Sequence, residues 1–132
     1  MKRAGKFLGG ILAAILTLLI AMFVFMASTA DRERKNLYYS VLEPSKIADG
    51  AFQGGADTTF VKAEVEVTVK DHTIIEIDLL KHENGKGAKA EAIIMDMINQ
   101  NTYQVDSISG ATLSSEVIKS AVSIALEQGK EQ

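Results

Sequence analysis

Carboxylate, hydroxyl and glycine residues are concentrated in one run near the C-terminal end of the chain, Asp106–Ser115 (DSISGATLSS). Gly110 supplies the backbone freedom that a tight turn needs, and Thr112 lies where an apolar-periodic segment begins. The first backbone N–H groups of a helix have no partner inside the helix, and they attract anions. The run therefore predicts an anion site that contains a hydroxyl group.

A structural role is the simpler interpretation of Thr112 when its local sequence is taken alone. Threonine is a favoured N-cap residue, and its side-chain oxygen would accept a hydrogen bond from the backbone N–H near Ser115. The choice between the two interpretations depends on the rest of the chain.

Length and composition argue against several classes of site. The chain has 132 residues, enough for one domain and an appendage, and it has no cysteine and two histidines, His72 and His82. No disulfide framework, thiolate metal site or multi-histidine metal centre is expected, so no metal-ligating residue is predicted. Residues 31–132 hold eleven basic and seventeen acidic residues, a net charge of −6, which argues against nucleic-acid binding.

The N-terminal segment has the length and composition of a membrane span. Phe7–Met26 is twenty residues without a charge, which a helix would extend over ~30 Å of hydrocarbon. Three basic residues precede it, so the positive-inside rule keeps the N-terminus in the cytoplasm and exports the rest of the chain. Small residues at 27–30 leave a cleavable secretory signal as the alternative. We expect an uncleaved single-pass anchor in residues 1–30, with a domain on the extracytoplasmic side of the cell membrane.

Residues 31–46 separate this segment from the remainder of the chain. They are charged and polar, contain the only proline, Pro44, and follow neither a helical nor a strand period. We therefore interpret residues 31–46 as a linker and residues 47–132 as the folded domain.

Three stretches of the domain have the pattern of strands. Glycine-rich 48–57 suggests a short first strand, and Val61–Lys70 alternates apolar and polar residues. Thr73–His82 resumes the strand pattern after a turn at 71–72, so these two stretches form an antiparallel hairpin. Alternation assigns one set of side chains to the core: Val61, Ala63, Val65, Val67, Val69, Ile75, Ile77 and Leu79.

Two further segments have helical periodicity. Ala88–Asn99 consists of strong helix formers and is expected to pack on the sheet. Leu113–Leu126 carries a continuous apolar stripe and is ended by Gly129. The fold class is therefore α+β: a small antiparallel sheet packed with helices, preceded by one N-terminal transmembrane helix. The expected sheet-facing residues of the first of these two helices are Ala88, Ala92, Met95 and Asn99, with Ile94 and Ile98 beside them.

Three stretches of the sequence resemble the FMN-binding domain family. Residues 106–112 (DSISGAT) match its flavinylation motif, approximately Asp-x-x-Ser/Thr-Gly-Ala-Thr, at every specified position. Residues 49–54 (DGAFQG) resemble the opening of the family's domain, Asp-Gly-x-Tyr/Phe-x-Gly. Residues 82–85 (HENG) resemble a loop between the family's last long strand and its helix, with asparagine where threonine is common.

The resemblance implies a covalently bound flavin. In this family the last threonine of the motif, here Thr112, is joined to FMN through a phosphoester. For the other two stretches the alternatives are a hairpin that needs unusual dihedral angles and an ordinary polar loop. Tyr103 could stack on the flavin ring, although packing in the core is its simpler interpretation. The candidate cofactor-binding residues are Thr112, Asp106, Ser109, Gly110, Ala111, Leu113, Ser114, Ser115, Gly54, Gly55, His82, Glu83 and Tyr103.

The expected function is electron transfer, without catalysis by the chain itself. FMN would supply the redox chemistry, and no catalytic residue is identified. The resemblance implies a separate flavin transferase that uses FAD and a divalent metal. The redox partners are expected in the membrane, and the sequence does not identify the electron donor or acceptor. The alternative is a module at the cell surface that binds a flavin or another phosphorylated ligand noncovalently and has no role in electron transfer.

Overall fold

The computed structural model describes residues 2–85 and 87–131, so the first residue of the predicted anchor and the last of the predicted domain lie outside it. The chain divides into two compact units, Met1–Arg32 and Glu33–Gln132. Helix α1 (Lys2–Asn36) forms the first unit, and its last four residues belong to the second. Its side chains are exposed from residue 8 to residue 28, and Leu8–Asn36 is long and apolar enough to cross a membrane.

The second unit contains a three-stranded antiparallel sheet. Strands β1 (Gly50–Asp57), β2 (Lys62–Lys70) and β3 (Thr73–Glu83) lie side by side in chain order. Asp71 and His72 connect β2 to β3 with φ angles of 50° and 59°. A two-residue hairpin turn with both residues at positive φ matches the right-handed twist of the strands, so the predicted hairpin and turn are confirmed.

The alternation predicted for β2 is confirmed. Ala63, Val65, Val67 and Val69 are buried and form one face, while the residues between them are partly exposed. Because successive side chains of a strand point to opposite faces, this pattern gives the sheet one core face and one face toward solvent.

The prediction for β3 is wrong at Ile75. The pairing of β2 with β3 shifts at two places, which leaves Ile75 and Leu80 without a partner residue. Each is a β-bulge, and a bulge moves the following side chains to the other face. Ile74 is buried in place of Ile75, whose side chain is 50% exposed, whereas Ile77 is buried as expected.

The prediction for the next helix is wrong for its main stripe and right beside it. The residues of the stripe, Ala88, Ala92, Met95 and Asn99, are exposed, whereas Ile94 and Ile98 are partly buried against the core as expected. The segment begins as a 3-10 helix (Ala88–Ala92) and continues as α2 (Ile93–Gln100). A 3-10 helix has three residues per turn instead of 3.6, so the residues that face the core change when the helix type changes. Met95 is 60% exposed, and the buried side chains are Ala90, Ile93 and Met97.

Helix α3 (Thr112–Gln128) lies at the centre of the second unit and is buried on most of its surface. It packs on β1 and β2 through the predicted apolar stripe, and it contacts the 3-10 helix near its beginning. Four serines are buried along with the apolar residues, which the stripe alone did not indicate. The buried residues of α3 are Ser114, Ser115, Val117, Ile118, Ser120, Ala121, Val122, Ser123, Ala125 and Leu126.

Residues 37–42, called the strap below, lie along α3 instead of forming a free tether. The Ser120 hydroxyl donates to the carbonyl oxygen of Tyr38 at 2.6 Å. The backbone N–H of Ser40 donates to the Ser123 hydroxyl at 2.6 Å. The buried serines of α3 thus satisfy the backbone of an irregular segment, which explains why no helical or strand period marks it.

The backbone of β1 approaches α3 most closely at Gly54. A Cβ atom at this position would overlap the carbonyl oxygen of Ala121 and lie 2.9 Å from the Cα of Ala125. Gly55 lies on the opposite face, where a Cβ would make ordinary contacts, the nearest at 3.5 Å from the Cγ of Glu64. The two glycines therefore differ in what they contribute to the fold.

We expect Gly54→Ala to lower the free energy of unfolding by ~1–3 kcal/mol or more, because the added methyl meets backbone atoms that cannot rotate away. Urea denaturation of the full chain in detergent measures this change. Gly55→Ala is the matched control and should change the free energy of unfolding far less. Equal effects of the two substitutions would contradict the close packing of β1 on α3.

Candidate functional site

A tight turn precedes α3. The backbone N–H of Ala111 donates to the carbonyl oxygen of Ile108 at 3.0 Å, and Gly110 has a φ of 80°. A turn of this kind, with positive φ at its third residue, is the type II turn, which favours glycine there. The turn expected from Gly110 is therefore present, and the exposed Ser109 is its second residue.

Ser115 fastens this turn to the first turn of α3. The backbone N–H of Ile108 donates to the Ser115 Oγ at 3.0 Å, and that hydroxyl donates to the carbonyl oxygen of Ala111 at 2.9 Å. The Ser115 side chain is 0% exposed. Both ends of the turn are thus tied to one buried hydroxyl, which fixes the position of the residues between them.

Thr112 is the first residue of α3, and its side chain is exposed. Ala111 occupies the N-cap position, and no side chain caps the helix. The backbone N–H of Ser115, which a threonine cap would have bonded, donates to the carbonyl oxygen of Ala111 at 2.9 Å. The cap interpretation of Thr112 is therefore wrong. Its hydroxyl has no hydrogen-bond partner in the part of the chain that the structure describes.

The backbone N–H groups of Thr112, Leu113 and Ser114 also have no hydrogen-bond partner among residues 2–85 and 87–131. They are the first donors of a 17-residue helix. Such donors, together with the helix dipole, stabilise an anion by ~0.3–1 kcal/mol where the site is exposed. An exposed hydroxyl and N–H donors without partners among the described residues therefore coincide at the start of α3.

Glu116 joins the loop before the turn to the strap. It follows Thr112 by one helical turn, and it accepts hydrogen bonds from the Ser107 hydroxyl, from the Tyr39 hydroxyl at 2.5 Å and from the Lys119 Nζ at 3.1 Å. Burial raises the pKa of Glu116, but these three hydrogen bonds together outweigh it and hold the pKa below its usual value. The carboxylate is therefore ionised and fully engaged.

Tyr103 lies in the core and is 5% exposed. Its ring is stacked on Tyr39, with 6.1 Å between ring centroids and 13° between planes, and its hydroxyl donates to the carbonyl oxygen of Ser40 at 2.6 Å. Burial and the hydrogen bond to Glu116 raise the pKa of Tyr39. An open cavity of about 340 Å³ lies beside this pair, and the exposed Asp106 is part of its wall.

The loop after β3 reaches the first turn of α3. A Cβ atom on the buried Gly87 would lie 2.7 Å from the Cβ of Ser114, so the backbone of Gly87 packs directly against the Ser114 side chain. His82 pairs with Ala63 in the sheet register, and therefore its side chain is on the face toward α3. That side chain is 3% exposed, and its Nδ1 lies 2.9 Å from the Oε1 of Glu91.

The Nε2 of His82 is buried without a hydrogen-bond partner, and within the described residues it is the only such side-chain atom. An unsatisfied buried polar group costs ~1–3 kcal/mol. A buried histidine nitrogen without a partner, on the strand whose following loop contacts α3, fits a site that takes a polar ligand.

Other predicted site residues lie elsewhere. Glu83 points away from His82 and forms an ion pair of 2.9 Å with Lys81, which lowers its pKa. Gly54 contacts α3 at Ala121, nine residues or ~13 Å beyond Thr112 along the helix axis, and Gly55 is on the solvent face. The structure thus brings His82 and Asp106–Ser115 to one end of the second unit, and places Tyr103 in the packing beside them.

Sequence reasoning missed Glu116, Glu91 and Gly87. Glu116 carried one signal, its spacing of four residues from Thr112, which puts both on one face of a helix. Glu91 contacts His82 and Gly87 contacts Ser114, each on a different element, and no local sequence pattern indicates such contacts.

Comparison with known protein families gives one match, to a family described as the FMN-binding domain. The match covers residues 61–127, just over half of the chain, from the residue before β2 to the last turn of α3. It includes His82 and all of Asp106–Ser115. No solved structure matches the chain.

We expect Ser115→Ala to lower the free energy of unfolding by ~1–3 kcal/mol, because the partly buried N–H of Ile108 would lose its acceptor. Chemical denaturation measures this loss. Ser109→Ala, which removes an exposed hydroxyl from the same turn, is the control and should be close to neutral. A neutral Ser115→Ala would show that the turn does not depend on this hydroxyl.

The lowered pKa of Glu116 predicts an acid-sensitive contribution to stability. A carboxylate whose pKa is lower in the folded state stabilises the fold above the unfolded value of about 4.3, and this stabilisation is lost as pH falls through the folded value. Glu116→Gln should therefore be less stable than the wild type at pH 7, by an amount that shrinks as the pH is lowered below ~4. Denaturation at several pH values measures the difference. Glu76→Gln, which removes an exposed carboxylate from β3, is the control for the loss of a surface charge.

Proposed function

Because the chain belongs to the FMN-binding domain family, we propose that FMN is joined through its phosphate to the Oγ of Thr112. The observation that carries this proposal is the exposed Thr112 hydroxyl, which has no hydrogen-bond partner among the described residues and begins a helix. The resulting phosphodiester keeps one negative charge. That charge would lie beside the unbonded N–H groups of Thr112, Leu113 and Ser114, where the helix dipole favours it.

The surroundings of Thr112 leave room for attachment. A Cβ atom on Gly110 would meet nothing within 4 Å, and Ser109 is exposed. The turn therefore presents the hydroxyl on an open surface that a second protein can approach. The Ser115 hydroxyl, in contrast, accepts one hydrogen bond and donates another. Of the hydroxyls of Thr112 and Ser115, the one at Thr112 is therefore the better acceptor of a phosphoryl group.

The attachment requires a separate transferase. A threonine hydroxyl is a weak nucleophile at neutral pH, and no base contacts Thr112 among residues 2–85 and 87–131. Glu116, the carboxylate one turn away, is already held by three donors. A flavin transferase that uses FAD and a divalent metal would supply the base. The bond from the Thr112 Oγ to the flavin-side phosphorus forms, the bond to the AMP phosphate breaks, AMP leaves, and the hydroxyl proton passes to that base.

The attached FMN supplies one- and two-electron chemistry, and the protein supplies its position and surroundings. We therefore assign the chain the role of an electron carrier between membrane redox partners. Helix α1 provides the anchor, and the basic residues at 2, 3 and 6 favour a cytoplasmic N-terminus with the domain outside. A covalent bond suits this location, because a dissociated flavin would be lost by dilution.

Intact-mass measurement tests the attachment. The full chain, produced together with a flavin transferase, should gain the mass of FMN less one water, and Thr112→Ala should abolish the gain. Thr112→Ser, which keeps the hydroxyl, should retain it at least in part. The wild-type protein should also stay yellow after denaturation and desalting.

An unmodified wild-type mass, obtained with a transferase shown to be active on another substrate, would refute the proposal. Yellow protein that loses its colour on denaturation would support the noncovalent binding module instead. A mass gain that persists in Thr112→Ala would move the attachment to another hydroxyl.

A further inference from the structure

We propose that Glu91 holds His82 with its proton on Nδ1, so that Nε2 offers a lone pair to a hydrogen-bond donor of FMN and does not contact the phosphodiester. This inference rests on the proposed function, because it takes FMN as the ligand. It assigns Glu91 the part of a positioning residue, acting through His82.

The location of His82 supports a contact with the cofactor. It lies on the face of β3 toward α3, and five residues later Gly87 packs directly on Ser114 in the first turn of α3. The side chain is buried, and its Nε2 has no partner. The loop that follows β3 therefore contacts the first turn of α3, the helix that begins at Thr112.

The proton position follows from the partner of Nδ1. A neutral imidazole has one N–H donor and one lone pair, and the partner of one nitrogen determines which is which. An ionised carboxylate only accepts hydrogen bonds. At 2.9 Å from the Glu91 Oε1, Nδ1 must therefore carry the proton, because a lone pair there would face another lone pair. Nε2 is then an acceptor.

Asn84 is the competing partner. Its Nδ2 lies 3.1 Å from the same Nδ1 and would favour a lone pair there, but it also lies 3.2 Å from the carbonyl oxygen of His82. Asn84 can donate to that carbonyl, whereas Glu91 has no other partner among the described residues. A hydrogen bond to a charged group is also about twice as strong as a neutral one. Glu91 therefore determines the tautomer.

The chemistry of FMN determines which part of it can reach Nε2. Its phosphodiester oxygens are acceptors only, whereas the N3–H of the flavin ring and the ribityl hydroxyls are donors. An acceptor at Nε2 therefore pairs with the ring or the ribityl chain.

The test is ¹⁵N NMR of the full chain in detergent micelles, labelled at histidine and measured before and after flavinylation. We expect His82 to show a protonated Nδ1 and an unprotonated Nε2 in both forms, and the Nε2 signal to move on loading as it accepts a hydrogen bond. His72 is the internal control. Its Nδ1 lies 2.9 Å from the carbonyl oxygen of Ile47 at the other end of β3, and its Nε2 signal should stay in place. His72→Gln assigns the two sets of signals.

A variant separates the role of Glu91 from that of His82. In Glu91→Ala, Asn84 is the remaining partner of Nδ1, so the tautomer with its proton on Nε2 should become populated. Asp96→Ala, which removes an exposed carboxylate from α2, should leave the tautomer unchanged.

A wild-type His82 with its proton on Nε2, or identical tautomers in wild type and Glu91→Ala, would overturn the inference. A protein that carries the FMN mass but shows an unmoved His82 Nε2 would overturn it while leaving the proposed function intact. A protein without the FMN mass would overturn the proposed function, and with it the ligand named here.

Discussion

The close contact of β1 with α3 is the constraint on which the rest of the second unit depends. At Gly54 the two backbones meet without a side chain between them, which holds α3 against the sheet along its length. The sheet covers one side of α3 and the strap covers another, so the helix has little freedom to slide or tilt. Its first residue, Thr112, is therefore held at a fixed place, although its own hydroxyl has no hydrogen-bond partner among the described residues. The order of the site comes from packing several turns away.

The negative charge of Glu116, near the start of α3, is offset by neighbouring groups that the local sequence does not reveal. A carboxylate at Glu116 is one helical turn from Thr112, and like charges at this spacing destabilise a helix by ~0.2–0.5 kcal/mol. Lys119, together with two hydroxyl donors, offsets that charge. An anion bound at Thr112 would thus lie at the positive end of the helix dipole, and the charge of Glu116 is already offset by its own partners.

The sequence predicted those parts of the fold that one periodicity determines. The core face of β2, the turn at 71–72, the apolar stripe of α3 and the turn at Gly110 each follow from local residue types, and each is present. The errors arise where a β-bulge interrupts a strand or a 3-10 helix precedes an α-helix, because the periodicity changes there. A bulge put Ile75 on the solvent face, and a 3-10 start did the same for Met95. The partners of His82 and Glu116 could not be predicted, because they depend on contacts between elements and not on spacing within one.

The strap also determines where the chain can be cut between helix α1 and the sheet without opening the core of the second unit. Tyr38 and Ser40 are bonded to buried serines of α3, and Tyr103 bonds to the same stretch of backbone. A protease that cleaved between residue 42 and β1 would leave these serines and the Tyr103 hydroxyl without their partners, opening one side of α3 to water. Cleavage before Leu37 would keep the strap on α3, but it would remove Glu33, whose carboxylate accepts hydrogen bonds from the backbone N–H and the hydroxyl of Thr59. Shedding of an intact domain therefore depends on a boundary that lies inside the segment the sequence marks as a linker.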